Sequence, residues 1–181
     1  MAPNTFSGQG SLSGVGSLQT EILYNIGDTG PGGGKIFYDA GSTLSWGRYM
    51  EAAVSTTSPT WVDAGRTAGP LSSFGSSSTA IGTGLANTNL MVAQDATANR
   101  AHTICRSFTG GGKTDWFLPS KDELNQLYIR RATIGDLVST YYWSSSEHVN
   151  PQQLLIQYFV NGSQFENYKN NTAHARAIRY V

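Results

Sequence analysis

One cysteine, Cys105, in 181 residues excludes an internal disulfide framework and any thiolate zinc cluster. No apolar run approaches the roughly 20 residues that a membrane-crossing helix needs, so membrane insertion is not expected. Charge is scarce: Asp, Glu, Lys and Arg make up 13% of the chain and cancel, 12 acidic against 12 basic. With no long basic run, nothing would attract a phosphate backbone, and nucleic acid is not an expected partner. The opening Met1-Ala-Pro-Asn-Thr-Phe-Ser-Gly lacks the basic and apolar regions of a standard signal peptide. What the chain does have is Gly, Ser, Thr and Asn, the composition of turns, loops and short strands. Its length suits one domain, burying roughly two-thirds of its unfolded surface.

Residues 1–20 are rich in Gly and Ser and read as a flexible arm or an attachment segment, with the globular pattern running over 21–181. Ile22-Leu-Tyr24, Lys35-Ile-Phe-Tyr38 and Arg48-Tyr-Met-Glu-Ala-Ala53 are strand-like, the first two separated by the glycine loop Gly27–Gly34. From Ser55 to Gly82 a long loop is expected, pinned to the core by Trp61, Leu71 and Phe74. Leu85, Met91 or Val92, Ala96, Ala101 and Ile104 recur at helical intervals and predict one helix over about 85–108, capped by Thr83 or Asn87. A second helix opens at Pro119-Ser120-Lys-Asp-Glu123, where Ser120 and Glu123 form a capping box and Leu124, Leu127 and Tyr128 supply the buried stripe. Ala175–Val181 closes the chain as a strand. Strands, then two helices, then strands is an α+β order.

Motifs for chemistry fail on inspection. Gly110-Gly-Gly-Lys-Thr114 has Ser107 where a P-loop needs its first glycine, and it follows a helix instead of a strand. Gly82-Thr-Gly84 has Asn87 at the third glycine position of a dinucleotide fingerprint. His102 and Cys105 share a helix face without a second ligand pair, so a packed histidine and a buried thiol are expected, with no metal. Ser144, Ser145 and Ser146 have no local His and acid to activate them and are expected to bond backbone in a bent strand.

The last forty residues are more informative. Asn161-Gly162 predicts a two-residue type I′ turn between strands 155–160 and 163–168. That register pairs Val160 with Ser163, Tyr158 with Phe165 and Ile156 with Asn167 on one face. The other face carries Leu155, Gln157, Phe159, Gln164, Glu166 and Tyr168. The first face is an aromatic and polar mixture of the kind adaptable contact surfaces use.

Gly27-Asp-Thr-Gly-Pro-Gly-Gly-Gly-Lys-Ile-Phe-Tyr38, Asp115-Trp-Phe-Leu-Pro-Ser-Lys-Asp-Glu-Leu124, Tyr142-Trp-Ser-Ser-Ser-Glu147 and Arg176-Ala-Ile-Arg179 follow in that order. Together they resemble the C-type-lectin-fold domain at the C-terminus of collagen-like adhesins and, within it, the variable proteins of diversity-generating retroelements, over about Tyr24–Val181. The resemblance implies a C-type lectin fold, with two helices packed on short antiparallel sheets with long loops. It also implies mutation directed to template adenines. Asparagine codons so mutated read any base, any base, pyrimidine, and never encode Gln, Glu, Lys, Met or Trp. Ile156, Tyr158, Val160, Ser163, Phe165 and Asn167 are reachable, whereas Gln157, Gln164 and Glu166 are not. Further reachable positions are His148, Val149, Asn150, Pro151, Tyr168, Asn170, Asn171, Thr172 and His174, while Gln152, Gln153 and Lys169 are expected to be constant or drawn from other codons. Trp116, Phe117, Leu118, Trp143, Phe159 and Ile178 are the expected invariant core.

The calcium-dependent sugar motifs of lectin relatives are missing, so no metal or other cofactor is expected. Relatives of the sulfatase-activating oxidase type need a cysteine pair, which Cys105 alone does not supply, so no enzyme is expected either. The reading is a non-enzymatic display protein on a virion or cell surface. Its face at about 148–174 would meet a protein or glycan ligand, and residues 1–20 would serve attachment or self-assembly. The alternative is an adhesin or structural surface domain of the same fold with one specificity.

Overall fold

The computed structural model describes residues 22–54 and 66–181. The arm expected over residues 1–20, and Trp61, lie outside the described residues. Among the described residues, six strands and four α-helices follow in the order β1 (Lys35–Leu44), β2 (Gly47–Ala52), α1 (Gly84–Gln94), α2 (Ala101–Ser107), α3 (Lys121–Ile129), α4 (Arg131–Ile134), β3 (Tyr141–Glu147), β4 (Gln153–Tyr158), β5 (Gln164–Tyr168) and β6 (Ile178–Tyr180). They form two antiparallel three-stranded sheets, ordered β1-β2-β6 and β3-β4-β5. This is the expected α+β architecture.

The chain end joins the two sheets. His174 bridges to Tyr142 beside β3, and four residues later Ile178 pairs with Ala52 in the first sheet and bridges to Phe117. One apolar cluster gathers Trp116, Leu118, Trp143, Leu154 and Ile156 with Phe74, Met91 and Cys105. A second gathers Phe37, Phe117, Tyr142, Phe159 and Ile178 with Leu124 and Leu127 of α3. The β3-β4-β5 sheet is wedged between the two clusters, so both faces of its central strand are covered.

The glycine-rich segment is a structural loop. The buried Glu51 carboxylate accepts from the backbone N–H groups of Gly32 and Gly34 and from Arg179, which also grips Asp115 with two bonds of 2.8 Å. A Cβ at Gly32 would strike Trp116, and one at Gly111 (φ 60°) would strike the Gly32 backbone. The two glycine loops therefore pack on each other, and their missing side chains allow that approach.

Several local expectations are corrected. The single helix over 85–108 is two: Asp95 adopts an extended conformation and Asn99 has φ 66°, breaking the helix between α1 and α2. Asp95 Oδ1 accepts from Thr97 N, an intraloop bond that competes with helix continuation. Thr83 is the N-cap of α1 without a side-chain cap bond; Glu123 of the α3 capping box accepts from Gly82 and Gly84 instead. Burial raises the Glu123 carboxyl above its ordinary range despite the Tyr180 hydroxyl and three N–H groups that donate to it. Ile22-Leu-Tyr24 is not a strand, and Leu71 is exposed where a pin was expected, while Phe74 is buried as expected.

Candidate functional site

The hairpin forms with a different turn. Gly162 N donates to Tyr158 O and Tyr158 N to Ser163 O, so residues 159–162 form the connection. Ile156 pairs with Phe165 and Gln157 with Gln164, displacing each partner by two positions from the two-residue-turn register. The cause is Phe159. Its ring packs 4.3 Å from that of Tyr142 and 5.5 Å from that of Tyr128, and a two-residue turn would have kept it in the strand. Asn161 Oδ1 then accepts from Ser163 N, and Gly162 (φ 84°) lies against the Tyr128 ring, where any Cβ would collide.

A displacement of two preserves the facing of the strands, yet exposure does not follow the expected division. Ile156, expected on the display face, is only 2% exposed and packs in the cluster of Trp143 and Leu154. A side chain so enclosed meets no ligand, and it is withdrawn from the candidate surface. Exposure is decided instead by nearness to the β5 edge, the 159–163 turn and the loops at the other end of the sheet.

Three groups of predicted residues result. At one end Tyr158, Phe165, Val160 and Ser163 are half-buried or exposed. The Tyr158 ring stacks on Tyr141 at 4.4 Å, and Phe165 meets Tyr141 edge-on at 5.7 Å. At the other end His148, Val149, Asn150 and Pro151 form a tight loop, with Val149 93% exposed. Asn150 Oδ1 accepts from Gln152 N, and the Asn150 carbonyl accepts from Gln153 N. Alongside it lie Asn167, Tyr168, Asn170, Asn171 and Thr172, with Asn171 Nδ2 donating to Asn167 Oδ1 at 2.7 Å. His174 is apart from both, half-buried beyond the outer edge of β3.

Tyr141 is not among the residues the sequence pattern assigns to this surface, because it lies in β3, outside the 155–168 hairpin and the reachable positions from His148 onward. The signal was present in the Tyr141-Tyr142 pair, since alternation along a strand turns one ring inward and the next outward. Tyr142 is fully buried and Tyr141 is 40% exposed.

Buried polar residues brace this surface. Lys169 is fully buried and its ammonium donates to Ser72 O (2.7 Å), Pro151 O (2.6 Å) and Glu147 Oε1 (2.5 Å), using all three protons. Glu147 also accepts from Phe74 N, Gly75 N and Ser73 Oγ. Burial alone would raise the Glu147 carboxyl, but these donors hold it below the usual carboxylate range. Gln157 Nε2 donates to Asn125 Oδ1 and Gly162 O, holding the turn to α3, and Gln164 Nε2 donates to Lys121 O. The six expected core residues, Trp116, Phe117, Leu118, Trp143, Phe159 and Ile178, are each no more than 2% exposed.

Between Tyr141 and Ala175 the sequence has only Glu147, Glu166 and Lys169 as charged residues. Two of these form the buried pair, so the surface presents rings, amides and hydroxyls with little charge. Two of the three serine hydroxyls are committed to backbone as expected, Ser144 Oγ donating to Leu155 O and Ser146 Oγ to Ser78 O. Ser145 departs from the expectation, its backbone N–H donating to Pro119 O while its buried hydroxyl has no partner among the described residues. His102 is buried against Phe74 with Nε2 2.6 Å from Asp95 O, and burial pushes the Cys105 thiol far above its ordinary range. Among the described residues no group of three or more His, Cys, Asp or Glu is placed to hold a metal ion, and no helix is long and apolar enough to cross a membrane.

The family model described as the Lcl C-terminal domain matches residues 35–179. No curated protein matches the chain.

Proposed function

The chain belongs to the Lcl C-terminal domain family, C-type-lectin-like domains of the ligand-binding adhesin and variable-protein type, and we propose that it is a non-enzymatic display protein whose surface at about 148–174 is diversified to bind varied protein or glycan targets. The observation that carries this reading is a match between codon reach and mechanical role. Of the residues beyond the reach of adenine-directed mutation of asparagine codons, Gln157, Gln164 and Lys169 each make a bond that holds a turn, helix or loop in place, whereas Gln152 and Glu166 are exposed. Of the fifteen residues read as variable, Ile156 alone is buried. A face can vary only where folding does not depend on it, and this division meets that condition.

Binding without catalysis is supported by the Ser144 and Ser146 hydroxyls donating to backbone carbonyls and by the enclosed Cys105. Display on a virion or a cell surface, with the N-terminal residues serving attachment or self-assembly, belongs to the same proposal. The test is to sequence the DNA flanking the gene. A second copy of the segment encoding Tyr142–Val181, differing from the first only where that copy has adenine, is the expected result. Absence of any such copy would leave the alternative, an adhesin with one specificity.

A further inference from the structure

A crevice of about 430 Å³ lies between the β1–β2 turn and α1, lined by Ser45, Trp46, Gly82, Leu85, Asn89 and Tyr180. It owes nothing to residues 148–174, so diversification of that surface would leave it unchanged. We propose that this crevice is a second, constant binding site, and that it takes a single neutral sugar ring.

Its construction argues for a ring ligand. Trp46 stands at the tip of the hairpin, half-buried, with part of its indole packed against the second apolar cluster and the rest lining the crevice. Tyr180 packs on it at 5.0 Å and Tyr38 at 6.3 Å. Gly82, at φ 89°, abuts the pyrrole edge so closely that any side chain there would strike Cδ1 and Nε1. Tyr180 is fixed in turn by the bond from its hydroxyl to Glu123, 2.7 Å. The half-buried indole is therefore a preorganised flat platform. Such a platform takes the C–H face of a pyranose at small entropic cost.

The lining also restricts polarity. No lining residue is charged, which disfavours sulfated or carboxylated ligands because nothing would neutralise them. Asn89 and Ser45, both exposed, add an amide with donor and acceptor and a hydroxyl, the groups that pair with sugar hydroxyls. A purely apolar ligand would leave these unused in an open crevice. The volume lies within the ~300–1,000 Å³ typical of small-molecule sites.

The experiment is an NMR titration of the ¹⁵N-labelled protein with methyl glucoside, mannoside, galactoside and N-acetylglucosaminide, and with glucose 6-sulfate as the charged control. At least one neutral glycoside is expected to shift the Trp46 indole and Asn89 amide resonances, with a Kd on the order of 1 mM. Asn89→Ala, on the exposed face of α1, should weaken that binding about tenfold at an unchanged melting temperature. Trp46→Ala should abolish it. No shift with any neutral glycoside overturns the proposal, as do preference for the sulfated sugar and binding that survives in both variants. None of these outcomes bears on the retroelement reading, which is tested at the DNA level.

Discussion

Replacing Lys169 with methionine isolates the foundation of the candidate surface. Methionine has nearly the same length and packs well on aromatic rings, so the change removes the ammonium without opening a large cavity. Three acceptors lose a donor: Ser72 O, Pro151 O and Glu147 Oε1, the last of which keeps the Phe74 N–H. The ammonium also sits 3.9 Å from the Phe74 ring centroid, a contact worth ~0.5–2 kcal/mol. Removing one member of a buried ion pair costs about 3–5 kcal/mol, because the remaining charge stays desolvated. Here Glu147 keeps three donors, from Phe74, Gly75 and Ser73, and Pro151 lies on an exposed loop that water can reach. The lower end is therefore expected, about 3 kcal/mol in urea denaturation at neutral pH. The pH dependence gives a second reading. In the parent protein the Glu147 carboxyl is held below its unfolded value, so its contribution is present above that value and fades as pH falls through the folded one. Without Lys169, burial would drive the same carboxyl upward. The stability gap between the two proteins should then shrink on acidification through the carboxylate range. A gap below ~0.5 kcal/mol at neutral pH, or one that widens in acid, would refute the assigned role of the pair.

Phe165→Ala with Tyr168→Ala should cost no more than about 1 kcal/mol, since both side chains are substantially exposed, whereas Trp143→Ala should cost about 3–5 kcal/mol as a core truncation that also loses the bond to Arg66 O. Comparable losses in chemical denaturation would mean that the hairpin rings are core. Gly32→Ala should destabilise by about 1–3 kcal/mol through collision with Trp116 and Glu51, and Gly33→Ala by about 1 kcal/mol through its φ of 77° alone; thermal melts rank the two. Cys105 should resist thiol reagents in the native protein and react only on unfolding, given its burial and raised pKa; rapid native labelling would contradict its placement.

The elements most legible in the sequence were those with short-range causes. The Ser120–Glu123 box forms with reciprocal bonds because both partners lie within one helical turn. Trp116, Phe117 and Leu118 are buried together, as a run of large apolar residues beside a helix start would suggest. Where the reading failed, either a local bond overrode the apolar pattern or a distant residue decided. Periodicity across 85–108 could not register that Asp95 would bond Thr97 and break the helix. Asn161-Gly162 promised a tight turn, yet Phe159 found a pocket between Tyr142 and Tyr128, and the loop widened to let it in. Ile156 looked like a displayed residue only until a second covering layer was placed over β4.

Composition and local pattern thus determined the class of this protein: a charge-poor, net-neutral α+β domain of short strands with a single cysteine, and an aromatic and polar mixture near its chain end. Those properties depend on residue type and on spacings of a few positions, which a sequence displays directly. The tertiary structure decided which of the candidate residues meet solvent, that Tyr141 joins them, and that Lys169 and Glu147 anchor the loops beneath them. It also decided that Glu123 caps a helix from a different segment. Such outcomes depend on which surfaces come to cover one another across scores of residues, and only the packed chain brings those surfaces together.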